Sequence, residues 1–153
     1  ANSTLVFVVD LVDVVPPDAG VSGAPAAELA ADLPVVEGEG DAEATVTFSA
    51  ASAVPTASDA TVLISGDGDE LGENAIVQIV QASYASQETQ YSSRSTSGAL
   101  ALKGSELPGL AEALEGQKVG TRVLVRIAAA DNVTEAAPEG EPLAIVVDVV
   151  GTF

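Results

Sequence analysis

Two clusters in this sequence are of residue types that could do chemistry. Gly66-Asp67-Gly68-Asp69-Glu70 bunches carboxylates among glycines, as a calcium loop does, and Tyr91 leads a hydroxyl-rich run from Ser92 to Ser97. A calcium loop needs about six oxygen ligands at set offsets. The later ligand positions are absent here, so the first cluster reads as a turn. The second reads as a solvated loop around one conspicuous aromatic. The types that are missing exclude more: the chain has no His, no Cys, no Met and no Trp. A thiolate nucleophile, a Ser-His-Asp triad, a zinc-finger site and a disulfide all fall away. No metal and no cofactor are expected.

Charge narrows the partners. Among 153 residues, 23 acids face 5 bases, a net charge of -18 that repels phosphate and disfavours nucleic acid and anionic membrane surfaces. A hydrophobic share of 47% is enough for a core, and the length suits one domain of ordinary size. Fully apolar runs such as Leu5 to Val9 are far shorter than the ~20 residues of a membrane helix, so no membrane insertion is expected. Nothing resembles a signal peptide, so an exported form would carry its signal upstream.

Several elements can position such residues. Thr45-Val46-Thr47-Phe48 alternates as a strand, Ala60 to Ile64 is a second and Ala75 to Val80 a third. Gln81 to Ser97 reads as a polar connection. The convincing helix has Pro108 near its first turn, Leu110, Ala113 and Leu114 on one face, and Gly116 as its stop. Thr121 to Ile127 then alternates as a half-exposed strand, and Leu143 to Val150 closes the chain. Antiparallel strands around one short helix make an α+β domain.

Two features lie outside that domain. Residues 16 to 43 are rich in Pro, Gly, Ala and unbalanced acids, so an extended or mobile linker is expected, with room for a short helix over Ala26 to Ala31. All five bases (Arg94, Lys103, Lys118, Arg122, Arg126) fall between positions 94 and 126. The plain reading is solubility spacing on one face; the sharper one is docking of the acidic linker onto that face, weakly and sensitively to salt. There is also an echo: Thr4-Leu5-Val6-Phe7-Val8-Val9-Asp10-Leu11-Val12 resembles Pro142-Leu143-Ala144-Ile145-Val146-Val147-Asp148-Val149-Val150. Chance likeness of two Val-rich strands is one account, and the last strand of an upstream repeat is the other.

The run from Glu106 to Ile127 resembles the FKBP-type peptidyl-prolyl isomerase family. That family has an apolar pair, Pro-Gly-Trp, a short helix, a Gly-x-Lys-Val-Gly turn and an apolar strand, and Gly116-Gln117-Lys118-Val119-Gly120 matches the turn in full. Val62 to Gly68 resembles the family's opening strand and turn, Tyr91-Ser92-Ser93 its Phe-Asp-Ser-Ser element, and the echoing strands its closing strand. The resemblance covers about residues 44 to 153 and implies an antiparallel half-barrel sheet wrapped around one short helix. It also implies a division of the chain. Residues 1–15 would be the closing strand of an upstream repeat, 16–43 the linker and 44–153 the domain, in an exported or envelope protein of a bacterium. Residues 4–14 would otherwise pair with another copy in a strand-exchanged homodimer.

Prolyl isomerisation needs neither acid, base nor metal. Its barrier of about 18–20 kcal/mol comes from amide resonance, which an apolar pocket weakens by favouring the twisted, less polar transition state. The resemblance implies a proline-containing peptide or unfolded protein as partner. Carried over residue by residue, it also implies an altered pocket. Leu110 replaces the Trp floor, Glu106-Leu107 replace Val-Ile, Tyr91 keeps an aromatic wall and Ser92 replaces an Asp. Val80 replaces a Tyr, Val133 falls near the family's Tyr-Gly, and Ile145 replaces a Phe. Aromatic walls bury about 150–250 Å² each, so aliphatic replacements leave a shallower pocket, which implies either weak catalysis in protein folding or a non-catalytic peptide-binding or spacer domain of a cell-envelope protein.

Overall fold

A computed structural model describes residues 5–9, 11, 14–16, 19–72, 74–103, 106–134 and 137–153. Its strands are β1 (Gly23–Pro25), β2 (Val35–Glu37), β3 (Thr45–Thr47), β4 (Asp59–Gly66), β5 (Ala75–Ser83), β6 (Thr89–Ser92), β7 (Leu100–Leu102), β8 (Arg122–Ile127) and β9 (Leu143–Thr152). Two short α-helices interrupt them among the described residues, α1 (Ser93–Thr96) and α2 (Leu110–Leu114), with a 3-10 turn at Ala129–Asp131. The main sheet runs β1-β4-β8-β9-β5-β6, with β7 also on β5, and every pairing in it is antiparallel. β2 and β3 form a separate hairpin. The fold is α+β.

The middle strands are buried on both faces, and register assigns each side chain to one of them. Cross-strand partners share a face in an antiparallel pair. Val123, Val125 and Ile127 of β8 oppose Val147, Ile145 and Leu143 of β9, and Val77 and Ile79 of β5 oppose Val149 and Val147. These residues make the first core, on which Leu110 of α2 packs. On the other face Leu124 opposes Val146 and Val80 opposes the same residue. There Leu33, Ala44 and Tyr84 complete a second core, with Val36, Val46 and Phe48 against it. β8 is therefore buried on both faces, where alternation predicted half-exposure. The cover over its second face comes from residues 33–48, a segment whose composition disguises the role.

The described residues of 16–43, a stretch expected to be extended or mobile, are held to the sheet at several points. β1 pairs with β4, β2 pairs with β3, and Leu33 is buried. No helix forms over residues 26–31. The arginines do the docking, and the plain reading of the basic residues as solubility spacing fails for all three. Arg122 is 2% exposed. Its Nε and Nη2 donate to the two carboxylate oxygens of Asp148 at 2.6 and 2.7 Å, while Nη1 donates to the Gly38 carbonyl at 2.5 Å. Arg126 donates to both oxygens of Asp59 and to Asp32, which draws its pKa above the ordinary arginine value despite the opposing effect of burial. Arg94 donates to the Ala19 carbonyl at 3.0 Å.

Gln81 to Ser97, expected to be a polar connection, carries the end of β5, all of β6 and α1. Ser93 is fully buried there, donating to Gln78 Oε1 and accepting from the Ile79 N–H. The turn at Gly116–Gly120 forms as expected. Gly120 adopts φ +95°, and a Cβ on it would come within 2.4 Å of Ser22 Oγ, so the position admits glycine alone. Gly68 donates to the Val119 carbonyl and Val119 to that of Asp69. The Gly66–Glu70 cluster is thus a turn tied to its neighbour, and no group of three metal-ligating side chains occurs among the described residues.

Asp148→Ala leaves a buried guanidinium without its counter-charge and is expected to cost about 3–5 kcal/mol by denaturant unfolding. The apolar pair Arg122→Met with Asp148→Leu should cost much less, mainly through the lost bond to Gly38. Tyr84 gives a pH prediction. Its hydroxyl is buried and makes no hydrogen bond of normal geometry among the described residues. Burial raises its pKa, with Arg126 pulling the other way. The unfolded phenol therefore ionises first, and stability should fall as pH rises through about 10, the ordinary tyrosine value. Tyr84→Phe should abolish that fall and leave the neutral-pH melting temperature equal or higher.

Candidate functional site

The helix that carries Leu110 begins from Gly109, which holds φ +73° and packs on Ala60 of β4. That approach drives Leu110 into the first core at 0% exposure, in one cluster with Ile145, and with Leu107 half-buried against it. Leu107, Leu110 and Ile145 are thus brought together. Tyr91 joins their side of the sheet, because Gln81 opposes both Tyr91 and Ile145 in register. Its hydroxyl lies 2.8 Å from Ser97 Oγ. Hydrogen bonds from Ser97 and then Thr96 lower its pKa below the ordinary tyrosine value.

The other candidates point elsewhere. Val80 opposes Ser92 and Val146 on the second face, and it packs in the second core among Leu33, Tyr84 and Leu124. Ser92 shares that face, and its hydroxyl donates to Glu43 of the docked segment. Val133 is 58% exposed in the connection before β9. Glu106 is exposed and outside α2, its carboxylate accepting from the Lys103 N–H at 3.0 Å; the acid in the first turn of α2 is Glu112.

A cavity of about 1000 Å³ opens at the far end of α2. It lies between the β4–β5 connection and the C-terminal half of the helix, and none of the eight candidates lines it. Leu71, Ala75 and Leu114 supply its apolar wall, while Glu70, Glu112, Glu115 and Lys103 stand around it. Sequence reading missed this cleft. The signal that could have found it is the pair of acids Glu112 and Glu115, one on α2 and one at its end, with Lys103 the one base beside them among the described residues.

No family model matches the chain, and no curated protein matches it in sequence. Among solved structures the chain is similar to FkpA from Escherichia coli, at 18% identity and a TM-score of 0.46, covering 60% of this chain and 46% of that one. It is similar to a multi-domain immunophilin from Arabidopsis thaliana, at 20% identity and a TM-score of 0.46, covering 65% of this chain and 43% of that one. A third likeness is to the N-terminal domain of FKBP42 from Arabidopsis thaliana, at 18% identity and a TM-score of 0.47, covering 65% of this chain and 88% of that one. The alignments span less than half the length of the first two chains. Likeness of this extent carries no argument about activity.

Burial separates a wall of the core from a surface position. Leu110→Ala should cost about 2–5 kcal/mol, as deletion of a well-packed leucine does, whereas Val133→Ala should stay within about 0.5 kcal/mol. Urea unfolding of the two variants checks both.

Proposed function

We propose that this chain is an FKBP-type domain that holds proline-containing or unfolded peptide without efficient isomerisation of the Xaa-Pro bond. The burial of Leu110 carries the reading. The residue in the place of the family's Trp floor is 0% exposed and packs in the core with Ile145. A proline ring docks on an open apolar floor, and Leu110 offers no exposed surface for it. Ser92, in the place of the family's Asp, is turned to the opposite face toward Glu43. A positioned polar group of that kind is worth about tenfold to a thousandfold in rate. The isomerase reading keeps one support, the half-buried Tyr91 on the side of Ile145.

The same proposal takes residues 44–153 as the domain and residues 1–15 as the closing strand of an upstream repeat, or else residues 4–14 as the exchanged strand of a homodimer, in a bacterial cell envelope. Its support is the echo. Leu143 to Val150 is a strand buried on both faces, whereas Leu5 and Phe7 in the matching pattern are 74% and 81% exposed. Residues 16–43 in this division are a docked strap.

An isomerisation assay on an Ala-Xaa-Pro-Phe peptide should give no rate above the uncatalysed one. Leu110→Trp should not restore activity, because adding bulk to a filled core costs about 1–3 kcal/mol; its unfolding midpoint should drop instead. Turnover by the unmodified chain, lost on Leu107→Lys in a variant that still folds, would overturn the reading in favour of an isomerase.

A further inference from the structure

The cleft beside α2 is built from two walls that are fastened together at one end. Glu70 pairs with Lys118 in an isolated antiparallel bridge, and the Val119 N–H donates to the Asp69 carbonyl at 2.8 Å. The other wall is α2 itself, which packs on β4 and β8. Between them about 1000 Å³ stays open, at the upper end of the range for a small-ligand pocket and long enough for a few extended residues. Ala75 is 6% exposed at the bottom, with Leu71 and Leu114 half-buried above it. Both of those leucines reach the first core, so the apolar wall is fixed by the same packing that fixes the fold.

The charge around this apolar wall is one-sided. Glu70, Glu112 and Glu115 are exposed and enter no ion pair among the described residues, in contrast to the acids that hold Arg122 and Arg126. Among the described residues, Lys103 is the single base lining the cleft. The whole chain, at a net charge of -18, adds a long-range field of the same sign, which raises the local concentration of cations and speeds their encounter. An aliphatic wall with carboxylates above it matches a side chain that is apolar along its stem and cationic at its tip.

We propose that this cleft binds an extended basic segment of a partner protein, seating an aliphatic residue on Leu71, Ala75 and Leu114 with a flanking Lys or Arg between Glu112 and Glu115. The inference rests on the peptide-binding reading and moves the docking place from the Tyr91 side to the far end of α2.

Fluorescence anisotropy with labelled acetyl-Gly-Arg-Leu-Lys-Gly-amide against the whole chain tests it. Saturable binding is expected, weakening about tenfold between about 20 and 300 mM salt as screening sets in. The pair Glu112→Lys and Glu115→Lys should weaken it by at least as much, with an unchanged melting temperature showing that the fold is intact; the Gln versions should act in the same direction and less. No saturable binding, or binding indifferent to salt and to both pairs, overturns the cleft. Binding of a neutral proline-containing peptide, lost on Tyr91→Ala, would leave the peptide-binding reading standing without the cleft. Failure of both probes removes the two together.

Discussion

A guanidinium shut away from water is stable only if its charge and its donors are all answered, and Arg122 is answered from two directions. Asp148 takes two of its nitrogens from the adjacent strand, and the Gly38 carbonyl takes the third from the docked segment. A bidentate pair between neighbouring strands permits one register, because a slip of one residue would carry the carboxylate to the opposite face. The third bond ties that register to the cover on the second face. Desolvation makes such a pair a poor source of net stability. Its value here is as a constraint: with either partner missing, the sheet and its cover would have a charge with nowhere to go.

That constraint divides the molecule into two cores with different roles. The second holds the strap through Leu33, Phe48 and Tyr84, whose ring lies 4.7 Å from that of Phe48. The first holds α2, and with it Leu107, Leu110 and Ile145, while Val80 and Ser92 face the second. Leu110 could line a pocket only by leaving the layer that fixes its helix. Stability and any chemistry at this position draw on the same side chain, and burial has decided in favour of stability. The cleft at the far end of α2 escapes this conflict, since its acids stand in solvent and only its apolar wall belongs to the core.

Much of this was legible in the sequence, and the parts that were not share a physical cause. Alternation located β4, β5, β8 and β9 to within a few residues, and Pro108, Leu110 and Gly116 located α2, because each depends on local periodicity. The docking of 16–43 depends on arginines 75, 84 and 94 positions away and on pairing with the distant β4, and its own composition resembles that of an unbound linker. Arg122 and Arg126 alternate with valine and leucine in the manner of solvent-facing residues. Only the acid opposite each, Asp148 and Asp59, shows that they point inward. Ser92 and Tyr91 are adjacent in sequence and fall on opposite faces for the simplest of reasons, the two-residue period of a strand. Reading them as one pocket asked both to face the same way.

The margins of the main sheet are as consequential as its centre. β5 is nine residues long, and a bare edge of that length would be a template for another chain. Its outer side is instead covered by β6 and β7, of four and three residues, with α1 between them. At the opposite margin β1 has three residues and ends in Pro25, which has no N–H to offer. The long edge of β5 is thus broken into short, interrupted pieces that give another chain little to pair with. On the β4 side the cover reaches only Ile64 to Gly66, so whatever the sheet can still pair with must come to that margin.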